Sequence, residues 1–153
     1  MSATELQSLR LKRTIRADPE TLFRAWTDPR ELRNWWRMEE PGWGFAEASV
    51  DLRVGGRYRL GMTDPAGNAH VATGEYREVQ RPTRLVFTWD WGNPAHRVGE
   101  TLVTVELHPA EAGTTELVLT HERFAEPEKV ASHERGWAQL FNLLDRFITE
   151  ETA

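Results

Sequence analysis

Along the chain the spacing of apolar positions changes from strand-like to helical and back. Residues 9 to 16, "LRLKRTIR", alternate with Leu9, Leu11, Arg13 and Ile15 on one face, which suits a first strand. "DPETLFRAW" and "DPRELRNWW" then predict two short helices, each with aspartate as N-cap and proline at the first helical position. Asp28 and Glu31 also have the spacing of a capping box. Leu22, Phe23 and Trp26 make the apolar face of the first helix, and Leu32, Trp35 and Trp36 that of the second.

From residue 46 to 122 the period is two again. "ASVDLRV" ends at the turn signal Gly55-Gly56, "RYRLGMT" puts Tyr58, Leu60 and Met62 on one side, and "DPAGN" is a further turn. "HVATGEYREV" and "RLVFTWDW" follow, the latter with Leu85, Phe87, Trp89 and Trp91 on one face. "TLVTVELH" aligns Val103, Val105 and Leu107, and "TTELVLTH" aligns Leu117, Leu119 and His121. Short turns join these strands, so an antiparallel meander is expected.

Pro127 opens the last element, with Glu126 and Glu128 near the positive end of its dipole. Val130, His133, Trp137, Leu140, Phe141, Leu144 and Ile148 recur at helical spacing. A sheet with one apolar face, curved around a helix with one apolar stripe, buries both. With no linker or repeat in sight, one α+β domain over residues 1–153 is expected. Two residues of "HERGWAQLFNLLDRF" look misplaced, because His133 and Gly136 fall on the apolar side. A glycine in a helix interior costs roughly 1 kcal/mol against alanine. Either the backbone approaches something closely there, or the helix covers a space that side chains leave unfilled.

Composition narrows the classes of function. A net charge of −5 with scattered positive residues gives no footprint for nucleic acid. The absence of cysteine excludes disulfides, thiolate metal sites and a cysteine nucleophile. "MSATELQSLRLKRTI" lacks the apolar stretch of a secretory signal, and no apolar run is long enough to span a membrane, so a cytoplasmic protein is expected. Phosphate-binding glycine loops, serine elbows and nucleotide fingerprints are missing, and no cofactor is expected.

Several separated words carry a resemblance. "RTIRADPETLFRAWTDPRELRNWW", "DLRVGGRYR", "GEYREVQRPTRLVFTW" and "TTELVLTHERF…HERGWAQLFNLL" fall in the order seen in the family of the activator of heat-shock protein 90 ATPase homologue, in the START-like (SRPBCC) superfamily. The likeness runs from Leu9 to Ile148, and "H-x-x-G-W" matches at His133, Gly136 and Trp137. It implies a helix-grip fold of the START/Bet v 1 type: a curved antiparallel sheet wrapped around a long C-terminal helix, with two short helices after the first strand. It also implies a cavity between sheet and helix. The superfamily includes lipid and hormone binders, polyketide cyclases and hydrolases, so the fold does not choose a chemistry.

Candidate chemistry gathers at that interface. His121 ends the last strand and His133 begins the helix after it, so both imidazoles are expected at one end of the cavity, with Glu122 beside them. Their spacing is not that of a zinc site and a third ligand is wanting, so no metal is expected; a hydrogen bond tying helix start to strand end is favoured. Trp35, Trp36 and Trp43 lie on the second helix and the loop after it, Trp89 and Trp91 on a central strand, and Trp137 on the helix opposite. As a set they suit a small-molecule pocket, with the loop 37 to 45 as its lid. Alternation puts Glu75 on a face with Val71, Thr73 and Val79, hence inside, where Arg57, Arg59 or Arg77 would pair with it. Tyr58, Phe87, His121, His133 and Gly136 complete the expected ligand-contacting set. The expected function is binding of a small apolar or aromatic molecule. The alternatives are a cyclase- or hydrolase-type enzyme using His121, His133, Glu75 and Tyr76, and a chaperone- or stress-linked interaction module. A homodimer stays open.

Overall fold

The computed structural model describes residues 6–92 and 98–152, with side chains through residue 150. Strand β1 (Gln7–Ile15) leads into helices α1 (Pro19–Thr27) and α2 (Pro29–Leu32). Strands β2 (Gly44–Val50), β3 (Arg57–Thr63), β4 (Ala69–Gln80), β5 (Arg84–Trp91), β6 (Thr101–Pro109) and β7 (Thr115–Phe124) follow, and helix α3 (Pro127–Thr152) closes the order. The seven strands form one antiparallel sheet in the order β1-β7-β6-β5-β4-β3-β2. The expected meander is present from β2 to β7, and β1 returns beside β7. This is the helix-grip arrangement, with α3 against β1 and β7.

Both short helices start where the aspartates predict. Thr21 N donates to Asp18 Oδ1 at 2.8 Å, and Arg30 N to Asp28 Oδ1 at 2.9 Å. The capping box at Asp28 does not form, because the Glu31 carboxylate turns instead to Arg24. Helix α2 is also shorter than its apolar spacing predicts and ends at Leu32. The Asn34 amide reaches back to the Arg30 carbonyl at 3.0 Å, a side-chain bond that competes with helical continuation.

The inward faces of β5, β6 and β7 follow the sequence pattern: Leu85, Phe87, Trp89, Val103, Val105, Leu107, Leu117, Leu119 and His121 are all buried. Strand β4 does not. Ala72, Gly74 and Tyr76 point into the core, while Glu75 is only half-buried, 3.8 Å from the Arg77 guanidinium. The expectation of an interior Glu75 fails because of a bulge. Pairing with β5 shifts by one residue between Tyr76 and Glu78, so Val79 packs on the core although it shares Glu75's parity. Gly74 is forced at this crossing: a Cβ there would lie 1.9 Å from the Thr88 carbonyl oxygen.

Candidate functional site

Between the N-terminal half of α3 and the sheet lies a cavity of about 260 Å³, open to the surface. Lys129, Ser132, His133, Gly136, Trp137 and Leu140 bring the helix side, at spacings that keep one face of α3 toward it. Trp89 and Trp91 from β5, Met62 from β3 and His70 from β4 bring the sheet side. Trp36, Met38 and Trp43 close it from the segment between α2 and β2.

The lining is aromatic and largely interlocked. Trp36, Trp89 and Trp137 meet one another with ring centroids 5.1–6.0 Å apart, and Trp91 meets Trp89 at 5.3 Å. Gly136 answers the question its position raises. A Cβ built on it meets nothing within 4 Å, so the residue fronts open space rather than a close backbone contact.

Of the residues expected here, Trp36, Trp43, Trp89, Trp91, His133, Gly136 and Trp137 surround the cavity. Trp35 lies behind it, buried, with its indole N–H on the Ala25 carbonyl at 3.1 Å. Tyr58 and Phe87 belong to a separate aromatic group with Tyr76. Glu75 sits on the outer side of the bulged strand. Met38, Met62, His70, Lys129, Ser132 and Leu140 complete the lining. Met62 and Leu140 were legible only as core-facing positions and Met38 only as part of the loop expected to be a lid, and for His70, Lys129 and Ser132 no spacing distinguishes a rim from any other surface.

His121 is completely buried and does not line the cavity, although its ring lies 5.3 Å from that of His133. The two imidazoles do not bond to each other; each is tied elsewhere. The Thr101 hydroxyl donates to the Trp89 carbonyl at 2.8 Å, so His121 Nε2–H donates to that hydroxyl at 2.7 Å. His121 Nδ1 then accepts from Trp137 Nε1 at 3.1 Å. His133 accepts from Trp91 Nε1 at 2.9 Å, and its Nδ1–H donates to the Lys129 carbonyl at 2.8 Å. Both rings are therefore neutral and fully satisfied. Burial pushes the His121 pKa well below its ordinary value, and repulsion from His133 adds to this. His133 is also lowered, chiefly by burial; its bond to the Lys129 carbonyl opposes the shift and the nearby Lys129 charge reinforces it. Of the acid–base candidates His121, His133, Glu75 and Tyr76, only His133 reaches the cavity.

The segment between α2 and β2 is fastened to α3. Glu39 N donates to Gln139 Oε1 at 2.8 Å, Gln139 Nε2 to Glu40 Oε1 at 3.1 Å, and Asn142 Nδ2 to Glu39 Oε1 at 2.8 Å. At its far end Trp43 packs over His70, ring centroids 5.5 Å apart. His70 Nε2 in turn meets Asp64 Oδ2 at 2.8 Å, and that bond, first among several, holds the Asp64 carboxyl at a pKa of about 2. Among the described residues no group of three or more His, Asp or Glu side chains is placed to hold a metal ion. No helix there is long and apolar enough to cross a bilayer.

Residues 16–149 match the family described as activator of Hsp90 ATPase homolog 1-like protein. The chain belongs to that family. Solved structures share the fold over nearly all of their length. A protein of Chromobacterium violaceum is 29% identical, with 91% of this chain and 94% of that one covered and a TM-score of 0.79. An AHSA1 protein of Silicibacter pomeroyi is 28% identical over 95% and 99%, with a TM-score of 0.81. A protein of Rhodobacter sphaeroides is 28% identical over 95% and 99%, with a TM-score of 0.79. No curated protein matches the chain.

Proposed function

We propose that this member of the family binds a small, largely apolar molecule between its sheet and the N-terminal half of α3. The observation that carries the reading is the open space in front of Gly136, on a wall built chiefly of tryptophan and methionine. A core that merely needed packing would gain from any larger residue there, both in apolar contact and in helix propensity. The volume of about 260 Å³ is just under the usual lower range for ligand sites, which fits a molecule of one or two rings. An interaction module would instead favour a broad exposed apolar patch. The large apolar side chains most exposed among the described residues are Leu6 and Val54, which sit toward opposite edges of the sheet.

The test is a titration with the neutral two-ring probe 2-naphthamide, followed by quenching of tryptophan emission, in the wild type and in Gly136→Leu. The variant gains helix propensity of up to about 1 kcal/mol, and its Cβ meets no neighbour within 4 Å. Saturable quenching in the wild type and its loss in Gly136→Leu are expected. Equal affinity in both proteins, or no saturable binding of either this probe or its acid counterpart 2-naphthoate, overturns the reading.

A further inference from the structure

The polar groups around the cavity are unequal in what they have left to offer. No aspartate or glutamate lines it. His70 is engaged by Asp64, His133 has both nitrogens taken, and the Ser132 hydroxyl donates to the Lys129 carbonyl at 3.0 Å. Lys129 differs from these. Among the described residues, no carboxylate stands within ion-pair distance of its ammonium. It is the third residue of α3, where the helix dipole opposes a cation and favours an anion, so helix formation gives no reason for a lysine there. Two lining indoles, Trp36 and Trp89, have N–H groups that meet no acceptor, but both are closed off from solvent and from the open space. The cavity thus has an uncompensated cation at its rim and no acid.

We infer that the molecule held here is an apolar or aromatic acid whose carboxylate pairs with Lys129 at the rim while its body fills the space before Gly136. The inference rests on the cavity-binding reading above and narrows it to a chemical class. A carboxylate at the start of α3 meets both the ammonium and the positive end of the helix. Lys129 is half-buried, and desolvation of the pair by a seated apolar body strengthens it over an exposed surface ion pair.

The experiment compares 2-naphthoate with its neutral isostere 2-naphthamide by isothermal titration calorimetry, in wild type, Lys129→Gln and Lys129→Arg. The wild type is expected to bind naphthoate about tenfold more tightly than the amide, the range of a hydrogen-bonded charge pair. Lys129→Gln should erase that preference while holding the amide affinity within about twofold, and Lys129→Arg should keep most of it. Equal affinity for the two probes in the wild type overturns the inference and leaves cavity binding standing. A preference for naphthoate that survives in Lys129→Gln does the same. If neither probe binds the wild type, the cavity reading falls and the inference with it.

Discussion

Two glycines in this chain look alike in the sequence and do opposite things. Gly74 lies on β4 against β5, and a side chain there would collide with the Thr88 carbonyl at 1.9 Å and the Tyr58 ring at 2.8 Å. Gly136 has no neighbour to collide with. Gly74→Ala is therefore expected to destabilise the protein by at least about 2 kcal/mol, since backbone must move to admit it. Gly136→Ala should stabilise by up to about 1 kcal/mol from helix propensity alone. Urea denaturation of the two variants measures both signs; a destabilised Gly136→Ala would mean that the glycine serves packing. Nothing in the local sequence separates the two cases, because what decides each is an atom from another strand or the lack of one.

At the scale of elements, the segment between α2 and β2 acts as a wall of the cavity. Its expected role as a lid implied a loosely held loop. Instead Glu39 and Glu40 are fastened to Gln139 and Asn142 one helical turn apart on α3. Gln139→Ala removes the acceptor of the Glu39 amide and one ligand of Glu40 together. Amide hydrogen exchange should then accelerate at Glu39 and through Trp43 by tenfold or so, as expected for a loss of about 1 kcal/mol, while the centre of α3 stays protected. Unchanged exchange at Glu39 would show that Met38 and Trp43 hold the segment by packing alone. The helix starts at Asp18 and Asp28 were legible because a cap is a local bond. The early end of α2 and the fastening to α3 were not, because each depends on which partner a polar side chain finds after folding.

Over the whole molecule, the two histidines make stability depend on pH. Both are neutral in the fold and both have pKa values lowered from 6.5, the value they regain on unfolding. The unfolded chain therefore binds more protons than the fold once the pH drops below 6.5. The stabilisation is present above that pH and is lost as the pH falls toward the lowered values, with a slope approaching about 1.4 kcal/mol per pH unit for each ring. The carboxylates with lowered pKa values, Asp18, Asp28 and Asp64, act in a separate window below pH 4. Thermal unfolding between pH 7 and 5 should show a falling Tm in the wild type. His121→Gln should start lower at pH 7, because it disturbs the Thr101 and Trp137 bonds, and fall less steeply. Parallel curves would mean that His121 does not carry the dependence.

The order of strands and helices, the antiparallel pairing and the apolar stripe of α3 were fixed in the sequence, since each rests on a period or a turn that neighbouring residues express by themselves. The family was legible for the same reason, in short contiguous words. Strand β4 shows where that stops. One bulged residue between Tyr76 and Glu78 reverses the parity, and Glu75 moves from the expected interior to the outer face. The cavity is likewise a product of tertiary structure. Both imidazoles sit at the helix start, yet Thr101 and Trp137 hold one behind the wall while Trp91 holds the other against the space. Sequence period says which way a side chain leaves the backbone. Only the packed molecule decides what it meets, and where nothing meets it.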